Sequence, residues 1–464
     1  MRAWVCLLAL AACGAGCGES SPARTTPLWS DGTHLRDAEG RVAVLRGINA
    51  RVEGIFDVTF SDGRAPLEPI PPLAAADCTR MRQLGFDLLR LPINWSGIEP
   101  TRGQYDEAYL ARVDAAVACA ADAGVYVVID LHQDAYSKEI GEDGAPLWAI
   151  QPPPTTLLGG PLTDLGDRRL SEQTRKAFQT FFDPADPAGL QEAFAAMLDV
   201  VARRWADHPG VIGFELFNEP DAGTAELEPF TARMAQVVRD AAPQKLVMFE
   251  PSAVRNFADF IPVAKAPFPV SGAVYAPHVY TFVFYADQGP FERATLDALE
   301  PSVRAARDEA TAWGTPLWIG EFGAAPTDDV AHAKWIQTEE LLHDRYLASN
   351  AFWVWKEDSQ GSWGLFSKDA TGWTERPAII SWVSRVRVAR YASAPRAVEP
   401  SLAGDAVRVE LSGAGSAPNL VYIPERFATT TAITCDGESR DLFRDSATGL
   451  VEVACGGVLE IGPR

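Results

Sequence analysis

The stretch DEAYLARVDAAVACAADAGVYVVIDL, residues 106–131, decides the fold of this chain. Residues 106–123 carry apolar side chains at helical spacing, and residues 125–131 form a nearly continuous apolar run. A helix followed directly by a strand that is apolar on both faces is typical of a parallel sheet covered by helices. The stretch therefore predicts a fold in which strands and helices alternate.

The same alternation extends in both directions along the chain. Strands are predicted at residues 42–49, 86–92, 125–131, 211–217, 246–250, 272–276, 316–319 and 351–355. Helices are predicted at residues 74–84, 106–123, 190–205, 230–241, 296–313, 333–347 and 378–388. Eight strands separated mostly by helices indicate an α/β domain with a parallel sheet.

The residues after the first strand distinguish the two parallel-sheet folds that alternate in this way. A doubly wound sheet normally carries a glycine-rich phosphate-binding turn there, whereas this chain has Ala50-Arg51-Val52-Glu53-Gly54. We therefore predict a (β/α)8 TIM barrel. The long loop 133–186, rich in Pro, Gly and Asp, follows the third strand and is expected to lie over the active face.

The composition changes from about residue 395. Residues 407–411 and 451–453 alternate apolar and polar side chains, and residues 420–423 are apolar. This pattern predicts a small C-terminal antiparallel β-sandwich module. We divide the chain into a signal and linker at residues 1–26, the barrel at 27–394 and the module at 395–464.

The N-terminus has the pattern of an export signal. A Met-Arg start precedes an apolar run at residues 3–12 that is too short to span a bilayer. Leu10-Ala11-Ala12-Cys13 resembles a bacterial lipobox, in which Cys13 would carry a lipid. Cys17 is a second candidate, and an ordinary cleaved signal is the alternative. We expect an exported bacterial protein, either secreted or attached to the outer membrane by its N-terminal lipid.

Four cysteines remain in the body of the chain. Cys435 and Cys455 lie in one short β-rich stretch, so we expect them to form a disulfide in an exported protein. Cys78 and Cys119 fall on successive predicted helices, where either a disulfide or two buried thiols would fit. No pair has C-x-x-C spacing, so a zinc site is not expected.

Composition limits the partners of this chain. Its 464 residues include 62 acidic and 41 basic side chains, which gives a net charge of −21. Such a surface repels nucleic acid and anionic membranes and suits a neutral or weakly charged substrate. The 13 Trp and 22 Phe can supply a core and also aromatic platforms for sugars. We expect a monomer that requires neither a cofactor nor a metal.

Two glutamates directly follow apolar strands. Glu219 follows the fourth strand and Glu321 the seventh. Catalytic residues of a TIM barrel lie at the carboxyl ends of its strands, and these two strands stand on roughly opposite sides. Two opposed carboxyl groups, one protonated and one ionised, are what glycoside hydrolysis requires. A lone Glu is usually a surface charge, but that interpretation is weak for residues that end apolar runs.

The other strand ends complete a pattern. In chain order they carry Arg90, His132, Asn218, Glu219, His278, Tyr280, Glu321 and Trp355. These positions resemble the eight signature residues of glycoside hydrolase family 5, and the resemblance covers roughly residues 40–390. It implies a retaining double displacement with Glu219 as acid/base and Glu321 as nucleophile. It also implies that Asn218 binds the sugar 2-hydroxyl and that Arg90 and Tyr280 hold the nucleophile. The two histidines would line the pocket, and Trp355 would form its floor.

Two motifs are similar to the endoglycoceramidase branch of that family. They are Asp130-Leu131-His132-Gln133-Asp134-Ala135-Tyr136-Ser137 and Trp355-Lys356-Glu357-Asp358-Ser359. The resemblance implies hydrolysis of the β-glycosidic bond between a glycan and ceramide, with Asp134, Lys356 and Glu357 in the substrate site. The aromatic run at residues 280–285 is expected either to line the lipid side or to pack its loop onto the barrel.

Several alternatives stay open at this point. The same branch contains enzymes that act on steryl glucosides and plant glycosides, and residues 221–223 lack an aromatic expected after Pro220. A secreted endo-β-glucanase or mannanase would perform the same reaction on a polysaccharide. An inactive carbohydrate-binding lipoprotein would not need both glutamates. A metal site that combines both histidines with Asp134 and Glu321 is disfavoured, because these residues come from separate strands without H-x-x-x-H spacing.

Overall fold

The centre of the molecule is a closed barrel of parallel strands. The computed structural model describes residues 25–256, 267–284, 294–325, 330–358 and 363–464. The barrel strands are Arg46–Asn49, Leu88–Asn94, Tyr126–His132, Val211–Glu215, Leu246–Phe249, Ala273–Tyr275, Trp318–Phe322 and Ser349–Phe352. They pair in chain order, the eighth pairs with the first, and a bridge from Tyr275 to Leu317 joins the sixth to the seventh. The predicted TIM barrel is confirmed.

Helices cover the outside of this barrel. The longer ones that follow its strands are Ala75–Gln83, Glu107–Asp122, Leu190–Trp205, Thr224–Ala241, Leu296–Trp313 and Val330–Arg345. Glu107–Asp122 shows why they form, because the Asp106 side chain accepts hydrogen bonds from the backbone N–H groups of Ala108 and Tyr109 and so caps the helix. Its buried residues recur at helical spacing and face the strands.

The loop after the third strand carries two short helices of its own. These are Leu165–Arg169 and Glu172–Phe181, and the second begins where the Ser171 side chain accepts a hydrogen bond from the Thr174 backbone. Phe178 and Phe181 are buried on its inner face. The loop is therefore an ordered cover over this part of the barrel.

Two antiparallel sheets form a sandwich beside the barrel. One contains Leu28–Asp31, His34–Asp37, Val42–Ala43, Arg387–Tyr391, Asn419–Tyr422 and Leu450–Val453. The other contains Pro395–Pro400, Val407–Leu411, Val458–Pro463, Thr431–Cys435 and Glu438–Ser439. Their apolar faces share one core. The first sheet thus includes strands from both ends of the chain, and the division at residue 395 stays a prediction.

One predicted helix is wrong in its second half. A helix was expected at residues 378–388, but the helix is Pro377–Val383 and Arg387–Tyr391 is a strand. This strand pairs with Val42–Ala43 on one side and Asn419–Tyr422 on the other. The conformation of this segment is decided by pairing partners that are distant in sequence. The pattern of apolar residues within the segment carries no information about those partners.

Two disulfides tie elements together. One joins Cys435 to Cys455 in the sandwich, and the other joins Cys78 to Cys119 on the helices Ala75–Gln83 and Glu107–Asp122. The sequence left the second pair open. Among the described residues, none of the helices combines the length and apolar composition needed to cross a bilayer. Cys13, the predicted lipidation site, lies outside the described residues.

Candidate active site

A cavity of about 460 Å³ opens at the carboxyl ends of the barrel strands. Loops that follow several different strands line it, as barrel geometry dictates. The loop after the third strand supplies Asp134, Leu165, Arg169, Leu170 and Phe178, so it contributes to the active face as predicted. Glu219 and Glu321 both line this cavity.

The two glutamates lie close together. One carboxylate oxygen of Glu219, one of Glu321 and a ring nitrogen of His278 all lie within 4.8 Å of one another. Carboxyl groups about 5 to 5.5 Å apart are typical of retaining glycosidases, whereas inverting enzymes need about 6.5 to 9.5 Å to admit a water molecule. An approach of two carboxylate oxygens to within 4.8 Å favours the retaining arrangement over the inverting one.

Both oxygens of Glu321 accept a hydrogen bond from a buried donor. Arg90 Nη1 donates to Oε1 at 2.6 Å, and the Tyr280 hydroxyl donates to Oε2 at 2.8 Å. The absence of a side chain at Gly320 lets His278 pack close to this strand, because a Cβ at that position would lie 3.0 Å from His278 Nε2. The carboxylate is thus held in one orientation by a cation and a phenol.

Arg90 lies at the centre of a buried acidic cluster. Its guanidinium is 2.5 Å from Glu215, 3.1 Å from Asp130 and 3.8 Å from Glu250, and all four side chains are fully buried. Burial alone would lower the pKa of Arg90, but the surrounding carboxylates raise it well above its usual value. Arg90 is therefore a permanent cation, already positioned among these acids.

Glu219 has a different environment. Its Oε1 accepts a hydrogen bond from Asn256 Nδ2 at 3.1 Å and lies 2.8 Å from His278 Nδ1. Burial and the nearby Asp134 raise the pKa of Glu219. The backbone φ of 42° places Glu219 in the left-handed region, and such strain in a non-glycine residue is typical of functional sites.

Both predicted pocket histidines are neutral at ordinary pH. Burial lowers the pKa of His132 and of His278 to about 4. His132 Nδ1 lies 2.6 Å from Asp130 Oδ2, and its ring stacks on Trp353 with 5.8 Å between centroids. Asn218 stands beside them and accepts a hydrogen bond from Arg90 Nη2 at 2.7 Å.

The residues after the eighth strand separate into two groups. Trp355 is buried outside the cavity, where its indole donates to Asp77 at 3.2 Å, and Lys356 forms an ion pair with the same Asp77 carboxylate. The wall of the cavity contains Trp353 and Glu357 instead. The tryptophan and the charged side chain available to a ligand at this strand are therefore Trp353 and Glu357.

One wall of the cavity is charged. Arg51, which follows the first strand, forms buried ion pairs with Glu68, with Glu142 at 3.3 Å and with Glu357 at 2.9 Å. Arg51 also faces the rings of Phe56 and Trp353. We call Arg51, Glu142 and Glu357, which line the cavity, together with their buried partner Glu68, the acidic wall. Except for Glu357, sequence reasoning missed these residues.

Part of the cavity's rim is apolar. Leu170, Val254 and Phe284 come from loops after the third, fifth and sixth strands, and they are 71%, 46% and 48% exposed. Phe284 packs against Trp363 at 5.8 Å between ring centroids. We call Leu170, Val254 and Phe284 the apolar rim. Of the predicted aromatic run, Phe282 packs on the barrel core, and Tyr285 lies outside the described residues.

Residues 67–359 match the cellulase family, glycosyl hydrolase family 5. This match covers more than half of the chain, which therefore belongs to that family.

The similar proteins include two endoglycoceramidases and an endogalactoceramidase. The chain is 30% identical to endoglycoceramidase I of Rhodococcus hoagii over 274 residues, 55% of this chain and 53% of the relative. It is 30% identical to endoglycoceramidase of Cyanea nozakii over 224 residues, 42% of each chain. The matched region thus spans about half the length of these curated relatives. A crystal structure of endogalactoceramidase is 26% identical with a TM-score of 0.78, covering 95% of this chain and 100% of that one.

Proposed function

We propose that this chain is a retaining endo-β-glycosidase that hydrolyses the bond between the glycan and the lipid of a glycosphingolipid. The observation that carries the proposal is that one cavity is lined both by the acidic wall and by the apolar rim. The acidic wall and Trp353 offer hydrogen bonds and a ring face, which suit a glycan. The apolar rim suits hydrocarbon. The names of the similar proteins, endoglycoceramidase and endogalactoceramidase, agree with this substrate.

In the first step, Glu321 attacks the anomeric carbon while Glu219 protonates the departing oxygen. The bond from anomeric carbon to ceramide oxygen breaks as the bond to Glu321 forms, so ceramide leaves as an alcohol. The raised pKa of Glu219 keeps a proton available for this transfer. Arg90 and Tyr280 hold the attacking carboxylate and offset its charge.

In the second step, after ceramide has left, a water molecule displaces Glu321 from the anomeric carbon. Glu219, now ionised, removes a proton from the water, which attacks the anomeric carbon and releases Glu321. Two inversions give a glycan with the original β configuration. His278 and Asn256 keep the Glu219 carboxyl group oriented through both steps, since each contacts its Oε1.

The glycan side would use side chains that sequence reasoning named and one that it missed. Asn218 lies beside Glu219 and would contact the sugar 2-hydroxyl. Trp353, stacked on His132, supplies the ring face that was expected of Trp355. Asp134 and Glu357 line the cavity and can accept hydrogen bonds from sugar hydroxyls.

The lipid side would use the apolar rim. Covering exposed apolar surface contributes roughly 25 cal/mol per Å². Leu170 and Val254 are aliphatic, so they cannot provide the stacking platforms that a polysaccharide chain needs on both sides of the cut. This asymmetry favours a lipid leaving group over an endo-β-glucanase or mannanase reaction.

We further propose that the protein is exported and acts as a monomer. The lipobox-like Leu10-Ala11-Ala12-Cys13 supports attachment by a lipid on Cys13. Such attachment would hold the enzyme close to membranes, where its lipid substrate is found.

A comparison of substrates tests the proposed function. Purified protein is incubated with β-glucosyl, β-galactosyl and lactosyl ceramide in detergent, and separately with soluble cellulose and mannan derivatives. Thin-layer chromatography should show intact glycan and ceramide from at least one glycolipid, with much slower release from the polysaccharides. NMR of the first product should show the β anomer. Cleavage of the polysaccharides alone would contradict the proposal.

A further inference from the structure

His278 connects Glu219 to a further, fully buried glutamate. Its Nδ1 lies 2.8 Å from Glu219 Oε1, and its Nε2 lies 3.4 Å from Oε1 of Glu250, which follows the fifth strand. We propose that Glu250 is a positioning residue for the acid/base. As a neutral carboxylic acid it donates to His278 Nε2 and so keeps the ring proton of His278 on Nδ1, facing Glu219. This inference rests on the proposed function and specifies how its acid/base is controlled.

The facing atoms of His278 and Glu250 have no other hydrogen-bond partner. Among the described residues, none donates to or accepts from either oxygen of Glu250 or Nε2 of His278. Both side chains are fully buried, and buried polar atoms are rarely left unpaired because that is costly. A proton held between Nε2 and the Glu250 carboxyl group would satisfy both residues.

The charges around Glu250 favour its neutral form. Arg90 lies 2.5 Å from Glu215 and 2.6 Å from Glu321. It lies 3.8 Å from Glu250, which is too far for a hydrogen bond. An oxygen of Glu215 also lies within 4.8 Å of an oxygen of Glu250. Burial and the charge of Glu215 raise the pKa of Glu250 well above its usual value. A buried carboxylic acid of this kind can stay protonated at neutral pH and donate a hydrogen bond.

The position of the ring proton on His278 decides how Glu219 can react. Burial keeps His278 neutral, so its ring carries one proton. With that proton on Nδ1, His278 donates to Glu219 Oε1 whether Glu219 is protonated or ionised. Asn256 Nδ2 donates to the same oxygen, so the proton of Glu219 is left on Oε2 for the departing oxygen. With the ring proton on Nε2, Nδ1 would instead accept the Glu219 proton and hold it away from the substrate.

Other charged or titratable side chains face these three residues. Those facing Glu250 and His278 are Arg90, Glu215, Glu321 and His132, and those facing Glu219 are Asp134, Arg169, His132 and Arg90. A substitution at Glu250 changes none of them. Its effect on the pH profile therefore reports the charge and the hydrogen bond of Glu250.

Nitrogen NMR of protein labelled with ¹⁵N at its six His tests the tautomer directly. Protonated and unprotonated ring nitrogens have well-separated shifts, and the His278 signals are those absent from His278→Asn. Near neutral pH, Nδ1 of His278 should be protonated and Nε2 unprotonated. Glu250→Leu should remove this preference, because it removes the donor to Nε2. An unprotonated Nδ1, or a ring protonated on both nitrogens, in the wild-type protein overturns the inference.

Two substitutions at Glu250 test its effect on catalysis. Glu250→Gln keeps an uncharged donor, so kcat/KM on a phenyl β-glycoside should stay within about 3-fold and its alkaline limb should not move. Glu250→Leu should lower this kcat/KM by about 10-fold or more. Its alkaline limb should move to higher pH, because the ionised Glu219 loses a hydrogen bond. A 2,4-dinitrophenyl β-glycoside needs no acid, so its kcat/KM should be little affected.

Glu340→Leu is the matched control. Glu340 is also buried and lies 3.3 Å from Arg46, on the helix Val330–Arg345. Its loss should lower stability but leave the alkaline limb and the His278 signals unchanged. An alkaline limb that moves to lower pH in Glu250→Gln would show that Glu250 is ionised and overturn the inference. Equal losses on both aryl glycosides in Glu250→Leu would also overturn it.

Two features of the design keep the outcomes separate. If circular dichroism shows that Glu250→Leu does not fold, the wild-type NMR signals and the pH profile of Glu250→Gln still decide the inference. Failure of the wild-type protein to cleave any aryl glycoside or glycolipid would contradict the proposed function alone, because the NMR experiment uses no substrate.

Discussion

Glu321 and Glu219 have carboxyl oxygens within 4.8 Å of each other, yet their surroundings differ. Glu321 accepts hydrogen bonds from a permanently charged guanidinium and from a phenol. Glu219 contacts an amide and an imidazole that burial keeps neutral. Two identical side chains can therefore perform opposite tasks, because a cation compensates the charge of one carboxylate and no cation contacts the other among the described residues.

Two neighbouring charges influence the pKa of Glu219 in opposite directions. Asp134 raises the pKa of Glu219, and Arg169 lowers it. Both neighbours lie on the loop after the third strand, whereas Arg90 lies on the second strand of the barrel. The carboxylate proposed as nucleophile is thus held by a residue of the barrel itself, whereas two loop residues influence the pKa of the proposed acid.

The largest expected effect comes from removing Glu321. Glu321→Ala should lower kcat on every substrate by on the order of 10⁵-fold, because no side chain then forms the covalent intermediate. Azide should partly restore turnover of an aryl β-glycoside by attacking the anomeric carbon directly, and NMR should identify an α-glycosyl azide. A loss below 10-fold would show that Glu321 is not the nucleophile.

Removal of Glu219 should have a smaller and more selective effect. Glu219→Ala should reduce glycolipid hydrolysis by about 10² to 10⁴-fold, because ceramide is a poor leaving group that needs a proton. A 2,4-dinitrophenyl β-glycoside needs none, so its burst of phenol release should persist. Azide should here give the β-glycosyl azide by attacking the covalent intermediate. Identical azide products from both variants would contradict the assigned roles.

The third prediction concerns the pH dependence of kcat/KM. Activity requires a protonated Glu219, so the rate falls as the pH rises through the pKa of Glu219. Asp134→Asn removes a charge that raises this pKa and should move the alkaline limb to lower pH. Arg169→Gln removes a charge that lowers it and should move the limb to higher pH. Shifts in the same direction would show that these residues do not control the acid through their charge.

The fourth prediction concerns the loop after the sixth strand, which contributes Phe284 to the apolar rim where the lipid is proposed to bind. Phe284→Asp should reduce glycolipid kcat/KM by about 10-fold or more, because it places a charge where hydrocarbon would bind, and aryl glycosides should be little affected. Phe282→Asp serves as the contrast. Because Phe282 packs on the barrel core, its replacement should lower the melting temperature and depress activity on all substrates alike.

The smallest effect on catalysis should come from the sandwich. Mass spectrometry of the exported protein should detect a peptide link between Cys435 and Cys455. Replacing both by Ser should leave kcat unchanged and lower stability by about 3 kcal/mol, the value typical of a loop of similar length. A change in kcat would connect the sandwich to the catalytic centre in a way that the structure does not suggest.

Much of the active site could be predicted because its signals are local. Each apolar run predicts a strand, and a closed barrel brings the carboxyl ends of all strands to one face. This rule about strand ends identified Arg90, His132, His278 and Tyr280. Arg51 and Glu250 follow the first and fifth strands, and the same rule applied to those two strand ends would have identified them.

Trp353 shows where the local rule stops. Residues two apart share a face only while the chain remains in a strand. The eighth strand ends at Phe352, so its pattern does not extend to Trp353 or Trp355. The position of these indoles depends on Asp77 and Phe366, which contact Trp355 from other parts of the chain.

The sequence by itself determined the barrel, the two glutamates and most of the residues around them, because periodicity and strand ends are properties of short segments. Only the tertiary structure decided which charged and which apolar side chains meet in the cavity. Leu170, Val254 and Phe284 carry no common motif, and they form one rim because the barrel brings three separate loops together. The charge that surrounds each glutamate has the same origin, since Arg90, Asp134 and His278 come from three different strand ends.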